Sequence, residues 1–258
     1  MNKIEKQKKH FDSISEIYDK QRNNNITKSY RFLLWKYFFI DLNKRLPSNN
    51  IEILDLMCGS GEFIEIFQKH CNLEFNYTGI DISKNMITLA KKKYQKHKFV
   101  CDDVSKLNLN DKKFDLIVLI GGLHHVYDQV DNILSQINKH MNKESIFINI
   151  EPTSDFILTE KIRDYIYKRN EIFDYETEKG FKLNELNKSY NLNNLDIVNQ
   201  DYFGCLCYVL YYNPDAFPYL NKFGKYLLKP LFKLEKFFFK SFIFKKISFA
   251  TFSILKRN

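Results

Sequence analysis

No uninterrupted apolar run in these 258 residues is long enough to span a bilayer. The longest charge-free stretch toward the C-terminus, Tyr202 to Pro214, falls short of the roughly 20 residues that a spanning helix needs. The N-terminus is polar and lysine-rich and has no apolar core, which argues against a secretory signal. The five cysteines, Cys58, Cys71, Cys101, Cys205 and Cys207, are odd in number and scattered. None is set in C-x-x-C spacing, so neither a disulfide framework nor a zinc site is expected, and no metal is assigned. A reducing, cytoplasmic setting fits best. There is no internal repeat. A hydrophobic content of 44% is ordinary, and the length can bury a core as one domain or one domain plus a small cap.

Acidic residues are nearly missing from one part of the chain. From Lys222 onward there are ten Lys/Arg and one acid, Glu235, an excess of nine that equals the whole formal charge of +9. The remaining residues are balanced. A basic segment on a neutral body points to a partner more sharply than overall basicity does.

The hydrophobic pattern alternates between helical and extended periods. Lys3 to Leu46 reads as helices, with Phe11, Ile14, Ile17 and Tyr18 at helical spacing, and Phe32, Trp35 and Phe39 likewise. Strands are expected at Ile51 to Met57, Tyr77 to Ile82, Phe99 to Cys101, Phe114 to Ile120 and Ser145 to Ile150, separated by helices at Glu62 to His70, Lys84 to Gln95 and Val130 to Met141. This alternation predicts an α/β fold with a parallel sheet covered on both faces. After Glu151-Pro152 the pattern loosens. Helices are expected at Asp155 to Asn170 and Lys182 to Ser189, strand material in Leu195 to Leu210, a broken amphipathic helix over Tyr219 to Lys246, and a last strand at Ile247 to Leu255.

The strand, glycine-rich turn and helix at Ile53 to Phe63, with Cys58-Gly59-Ser60-Gly61 at the turn, form the core signal. Glycine lets a ligand approach the backbone closely, and open α/β sheets bind ligands at the carboxyl ends of their strands. About 20 residues on, the next strand ends in Asp81, whose carboxylate can accept both hydroxyls of a ribose. The alternative is that Asp81 caps the following helix. There is no third glycine, since Ile64 stands three positions after Gly61, and no P-loop lysine. The site therefore suits a nucleoside without phosphates.

At this point the sequence resembles the class I S-adenosylmethionine-dependent methyltransferases. Asp55 through Gly61 resembles their first motif, Asp81 their ribose-binding acid, and Phe99 to Val104 their adenine-binding motif. Phe114 to Val126, including Ile120, Gly121, His124 and His125, resembles the fourth motif, which lines the methyl-donor face. The order and spacing agree from Ile51 to Ile150. The resemblance implies a Rossmann-like fold with a mostly parallel seven-stranded sheet, helices on both faces and a helical cap. It implies S-adenosyl-L-methionine as cofactor and S-adenosyl-L-homocysteine as product. The cofactor-binding set it suggests is Tyr18, Asp55, Met57, Gly59, Gly61, Asp81, Ile82, Asp102, Asp103, Val104, Ile120 and Gly121. Asp103 would accept from the adenine amino group, and Tyr18 would touch the carboxylate end unless it is a core aromatic. The family pattern has glycine where Met57 stands. The expected organisation is an N-terminal helical cap over 1–46 and a methyltransferase domain over 47–258, with helical insertions near 153–190 and 213–246.

Methyl transfer asks mainly for in-line positioning and desolvation. A general base helps when a proton must leave the acceptor. His124, His125 and Glu151 are the candidates; the alternative is that the histidines pack structurally and shape the cofactor pocket. Asn-Pro-Pro-Tyr-like motifs and RNA-binding modules are absent, so nucleic acid is disfavoured as a partner. Within 222–246, Lys222, Lys225, Lys229, Lys233, Lys236 and Lys240 recur at steps of three and four beside a phenylalanine-rich face, and Pro230 should break or kink the element. Such a stripe fits an interfacial helix on an anionic membrane surface, a core helix with a solvated edge, or the contact of a homodimer. The leading expectation is methyl transfer to a small-molecule or lipid-type acceptor, cytoplasmic or peripheral on a membrane. The alternatives are a non-catalytic binder of the same fold and, more weakly, an RNA methyltransferase.

Overall fold

The computed structural model describes residues 3–47, 49–107, 109–170, 172–173, 180–213 and 224–258. Strands that are apolar at nearly every position must be buried on both faces, and this sheet shows why. In β1 (Ile51–Leu56), Ile51 and Ile53 face one core while Leu54 and Leu56 face another. In β4 (Phe114–Ile120), Leu116 and Val118 join the first core, and Phe114, Ile117 and Leu119 the second. The remaining strands are β2 (Phe75–Asp81), β3 (Lys98–Cys101), β5 (Met141–Pro152), β6 (Leu195–Phe203) and β7 (Ala250–Arg257).

Among the described residues these seven strands form one sheet in the order β3-β2-β1-β4-β5-β7-β6. β1 to β5 pair in parallel, and β7 runs antiparallel between β5 and β6. The strand order reverses between β1 and β4, which places a crevice at their carboxyl ends. The first core is unusually aromatic. Helix α1 (Lys3–Arg22) runs into α2 (Asn25–Leu42), capped by Asn24, whose side chain accepts from Ile26 and Thr27 N–H. On α2, Trp35, Phe38 and Phe39 are buried, and the Phe38 ring stacks on Phe252 of β7 at 3.7 Å. Helices α3 (Glu62–His70) and α4 (Lys84–Lys93) follow β1 and β2. On the other face lie α5 (Val130–Lys139) and α7 (Leu183–Leu192), whose Ile133, Ile137 and Tyr190 belong to the second core. Helix α6 (Ile157–Tyr167) builds a small separate cluster from Ile166 and Tyr167.

Several boundaries differ from the sequence expectation. β5 begins at Met141, four residues before the expected Ser145. β6 ends at Phe203 because Gly204 turns the chain at φ +78°, and Tyr208–Tyr212 is a π-helical turn, not strand. The last strand is 250–257. The helix expected over Tyr219 to Lys246 is two helices, α8 (Gly224–Lys236) and α9 (Phe242–Ile247), the second restarted by the Ser241 hydroxyl accepting from Phe244 N–H. Tyr219 to Phe223, with the first lysine of the stripe, Lys222, lies outside the described residues. Pro230 sits inside α8 and does not end it. An internal proline costs about 3 kcal/mol, but burying Leu228 and Phe232 on this helix contributes ~1.5–3 kcal/mol each, enough to offset it.

The Phe38–Phe252 stack ties the N-terminal helices to the sheet. Phe38→Ala should lower unfolding free energy by about 3–5 kcal/mol in a urea titration. A loss below about 1 kcal/mol would mean that α2 is only loosely docked.

Candidate functional site

The crevice at the strand-order reversal is walled by three turns: Met57 to Gly61 after β1, Asp81 to Ser83 after β2, and Gly121 to His125 after β4. It divides into two adjoining clefts. The first, about 750 Å³, is lined by Asp81, Ile82, Met86, Asp102, Asp103 and Val104, with Ile4, Gln7 and Phe11 of α1 over it. The second, about 1210 Å³, opens toward Arg22, Tyr167, Phe173, Tyr208 and Tyr212 and reaches His124. Tyr18, Met57, Gly59, Ile120, Gly121 and His125 line both and mark where they meet.

Asp81 organises the first cleft. Its two carboxylate oxygens accept from Gly59 N–H and Ser83 N–H, each at 2.8 Å, so one side chain joins the turns after β1 and β2. The helix cap is Ser83, whose hydroxyl accepts from Met86 N–H, so the following helix does not depend on Asp81 for its cap. Burial pushes the Asp81 carboxyl from 3.8 up to about 6, against the stabilising backbone N–H groups of Ser83 and Gly59. Asp55 is buried too. Burial raises it to about 7, opposed by the hydroxyl of Tyr77, which donates to it at 2.5 Å. On the opposite rim Asp103 accepts from Ser105 N–H at 2.9 Å, and Asp102 accepts from Asp103 N–H at 2.8 Å.

Glu151, at the end of β5, is fully buried. A buried carboxylate needs several donors. It accepts from the N–H groups of Gly122 at 3.1 Å, Leu123 at 2.9 Å and His124 at 3.3 Å, and from the Asn149 amide at 3.2 Å. His124 Nδ1 lies 2.9 Å from it. With Nδ1–H donating to the carboxylate, Nε2 is the basic nitrogen of the ring. The His125 ring lies 4.0 Å from that of His124, tilted by 36°, and meets the edge of Phe11 at 5.2 Å.

Helix α1 covers the crevice and is fastened by two acids. Asp12 accepts from Ser83 Oγ at 2.7 Å and from Asn85 N–H at 3.2 Å, at the positive end of α4. Asp19 accepts from Ser60 Oγ at 2.6 Å and pairs with Lys93. One helical turn after Tyr18, Arg22 lies 4.2 Å from the Tyr212 ring centre and donates to Tyr212 O at 3.1 Å.

Of the residues singled out from sequence, all but Gly61 and Glu151 line these clefts. Gly61 instead starts α3 at φ +83°, and Glu151 stands behind His124. Sequence reasoning missed Arg22, Asp12, Phe173, Tyr208 and Tyr212. The nearest signal was the helical spacing of Phe11, Ile14, Ile17 and Tyr18; nothing local marks residues near 173 or 208 as neighbours of β1. No group of three or more His, Cys, Asp or Glu able to hold a metal is found among the described residues.

Met57 occupies a left-handed backbone conformation, φ +55°, which favours glycine. A Cβ on Gly122 would come within 2.4 Å of its sulfur, so the side chain is packed against the β4 turn. Met57→Gly exchanges that packing for ~1 kcal/mol of relieved backbone strain and should leave stability near wild type. Met57→Ile keeps the apolar volume but is β-branched, and should lose about 1–2 kcal/mol in urea unfolding. A larger loss in Met57→Gly than in Met57→Ile would show that packing, not backbone strain, governs the position.

A family profile described as "Methyltransferase domain" matches residues 53–144. The demethylmenaquinone methyltransferase of Staphylococcus aureus (strain MRSA252) is 30% identical over 156 residues, covering 58% of this chain and 62% of that protein. A ubiquinone/menaquinone biosynthesis C-methyltransferase of Campylobacter jejuni (serotype O:2, strain ATCC 700819 / NCTC 11168) is 28% identical over 158 residues, covering 59% and 66%. The matches thus span a little under two thirds of these relatives. In fold, the chain is similar to magnesium protoporphyrin IX methyltransferase from Synechocystis PCC 6803 with bound S-adenosylhomocysteine, with a TM-score of 0.62, 14% identity and all of both chains covered. A motif order that runs from the β1 turn to β5, a methyltransferase-domain profile over residues 53–144 and the seven-stranded sheet agree: the chain has the Rossmann-like fold of the class I S-adenosylmethionine-dependent methyltransferases and resembles them in sequence over its first half.

Proposed function

We propose that the protein transfers a methyl group from S-adenosylmethionine to an apolar, aromatic small molecule of quinone or related lipid type, from the cytoplasmic side and at a membrane surface. The observation that carries this reading is the pair of clefts: one acidic and nucleoside-sized, the other aromatic, meeting at Tyr18, Gly121 and His125. The names of the quinone methyltransferase relatives support the acceptor class. No helix among the described residues is long and apolar enough to cross a membrane, so contact with lipid would be peripheral.

The residues fit the cofactor. Nothing lies within 4 Å of where a Cβ on Gly59 would stand, so a ligand can rest on that backbone. Asp81 would accept from ribose hydroxyls, Asp103 and Val104 would hold the adenine edge, and Tyr18 would face the carboxylate end. When bound, S-adenosylmethionine supplies a methyl already activated on a sulfonium. His124 would then take the proton that leaves the acceptor, on Nε2, while Glu151 keeps Nδ1 protonated and orients the ring. S-adenosylhomocysteine would be the product, and the acceptor's proton would end on His124. The alternative of a non-catalytic binder rests on Met57, and release of S-adenosylhomocysteine separates the two.

Asp81→Ala should weaken S-adenosylmethionine binding at least tenfold by calorimetric titration, since hydrogen bonds to a charged group are worth about 1.5–3 kcal/mol. Only the ionised carboxylate accepts from both hydroxyls. Affinity should therefore fall as pH drops through about 6, and this dependence should disappear in Asp81→Asn. A pH-independent affinity in the wild-type protein removes Asp81 from the ribose site.

His124→Ala should cut turnover by roughly 10²–10⁴ while cofactor affinity stays near normal. The assay is S-adenosylhomocysteine release with reduced demethylmenaquinone as acceptor. Full activity in His124→Ala would leave a mechanism of positioning alone.

A further inference from the structure

We infer that α8, α9 and the turn between them form a docking surface for an anionic lipid bilayer. Helix α8 has three sides. Leu228, Phe232 and Glu235 face the body and are buried. At about 100° per residue, Lys229, Lys233 and Lys236 fall about 100° to one side of that buried stripe, and Leu227 and Leu234 about 110° to the other. A helix that merely covered a core would need only the first side and a polar remainder.

The apolar side stays outside. Phe237 is 85% exposed, Phe242 69%, Leu234 61% and Ile243 60%. Large apolar groups this exposed and this close together in one segment mark an interaction site. The charge around them names the occupant. Lys229, Lys233, Lys236, Lys240, Lys245 and Lys246 are all exposed. The segment's single acid, Glu235, is buried and accepts from Cys207 N–H at 2.9 Å, so it does not offset them at the surface. Phenylalanines beside lysines match an acyl boundary beneath anionic headgroups, and the lysine stems are long enough to keep their ammonium groups at headgroup level.

The surface also sits where it would serve the reaction. The Glu235 bond fastens α8 to the chain just before the π-helical turn, and Tyr208 and Tyr212 of that turn line the aromatic cleft. A bilayer held at α8 therefore lies one layer of structure from the acceptor cleft. The surface itself is argued from exposure and charge; only this link to acceptor delivery rests on the proposed function.

The test is co-sedimentation of the full chain with vesicles of 3:1 phosphatidylcholine and phosphatidylglycerol, against pure phosphatidylcholine. Binding should favour the anionic vesicles and weaken as salt rises, because screening shortens the reach of the lysines. Each lysine near an anionic surface is worth about a fivefold change in partitioning. Lys229→Gln with Lys233→Gln should thus lower partitioning roughly 25-fold. Phe237→Ser with Phe242→Ser should reduce binding at every salt concentration. All four side chains are exposed and outside the clefts, so S-adenosylmethionine affinity serves as the control for folding. No sedimentation at low salt overturns the inference, as does binding indifferent to the lysine pair. So does a dimer in sedimentation equilibrium that Phe237→Ser dissociates, since a second copy would then cover the face. None of these readouts depends on turnover, so losing the surface leaves the methyl-transfer reading standing, and losing turnover leaves the surface.

Discussion

The site depends on how one buried negative charge is satisfied. Glu151 has no access to water, and an unpaired carboxylate there would cost several kcal/mol. The protein answers with the N–H groups of three successive residues, Gly122 to His124, together with the Asn149 amide and the His124 ring. Those donors can converge only if the chain after β4 curls tightly around the end of β5. The curl puts His125 at the junction of the two clefts and His124 in the wall of the second. Asn149 in turn donates to Leu119 O and accepts from Tyr190 of α7, so the brace continues through β4 into the second core. Asp81 repeats the device across the crevice, drawing the turns after β1 and β2 together. Two carboxylates thus tie together three loops.

Much of this was legible in the sequence because the first half of the chain is local in its logic. Ile51 to Ile150 alternates strand and helix, each turn follows its own strand, and parallel pairing brings the strand ends to one edge. Asp81 and Gly59 could be placed together from spacing alone. The remaining lining was not legible. Arg22, Phe173, Tyr208 and Tyr212 come from segments with no motif, and they meet only because α1 folds over the crevice and the segments after α6 and β6 return to it. The role of Glu151 was only half visible. Its position at a strand end suggested chemistry, whereas its contacts place it behind His124.

Pro230 and Ser241 show where local rules give way and where they hold. Proline should stop a helix, yet α8 continues through Pro230, because its neighbours Leu228 and Phe232 are buried. Two turns later the lysine periodicity would allow the helix to go on, and it stops. Ser241 then starts a new helix with its own cap, and Phe239, fully buried between the two, pins the turn to the core. Tertiary burial overrode the proline, and a cap together with one anchored aromatic overrode the periodicity.

The pairing of β6 with β7 joins two adjacent antiparallel strands, but their connection is the long excursion 204–249 and not a tight hairpin. The entropy of closing such a loop grows only with the logarithm of its length; each doubling costs about 0.6 kcal/mol. Once the sheet has accepted an excursion there at all, further residues add little to the free energy of closing it. The exposed aromatic and lysine surface lies inside this connection, away from the carboxylates that set the clefts. That arrangement lets the surface change in length and character at small thermodynamic cost, while the strands on either side keep their register.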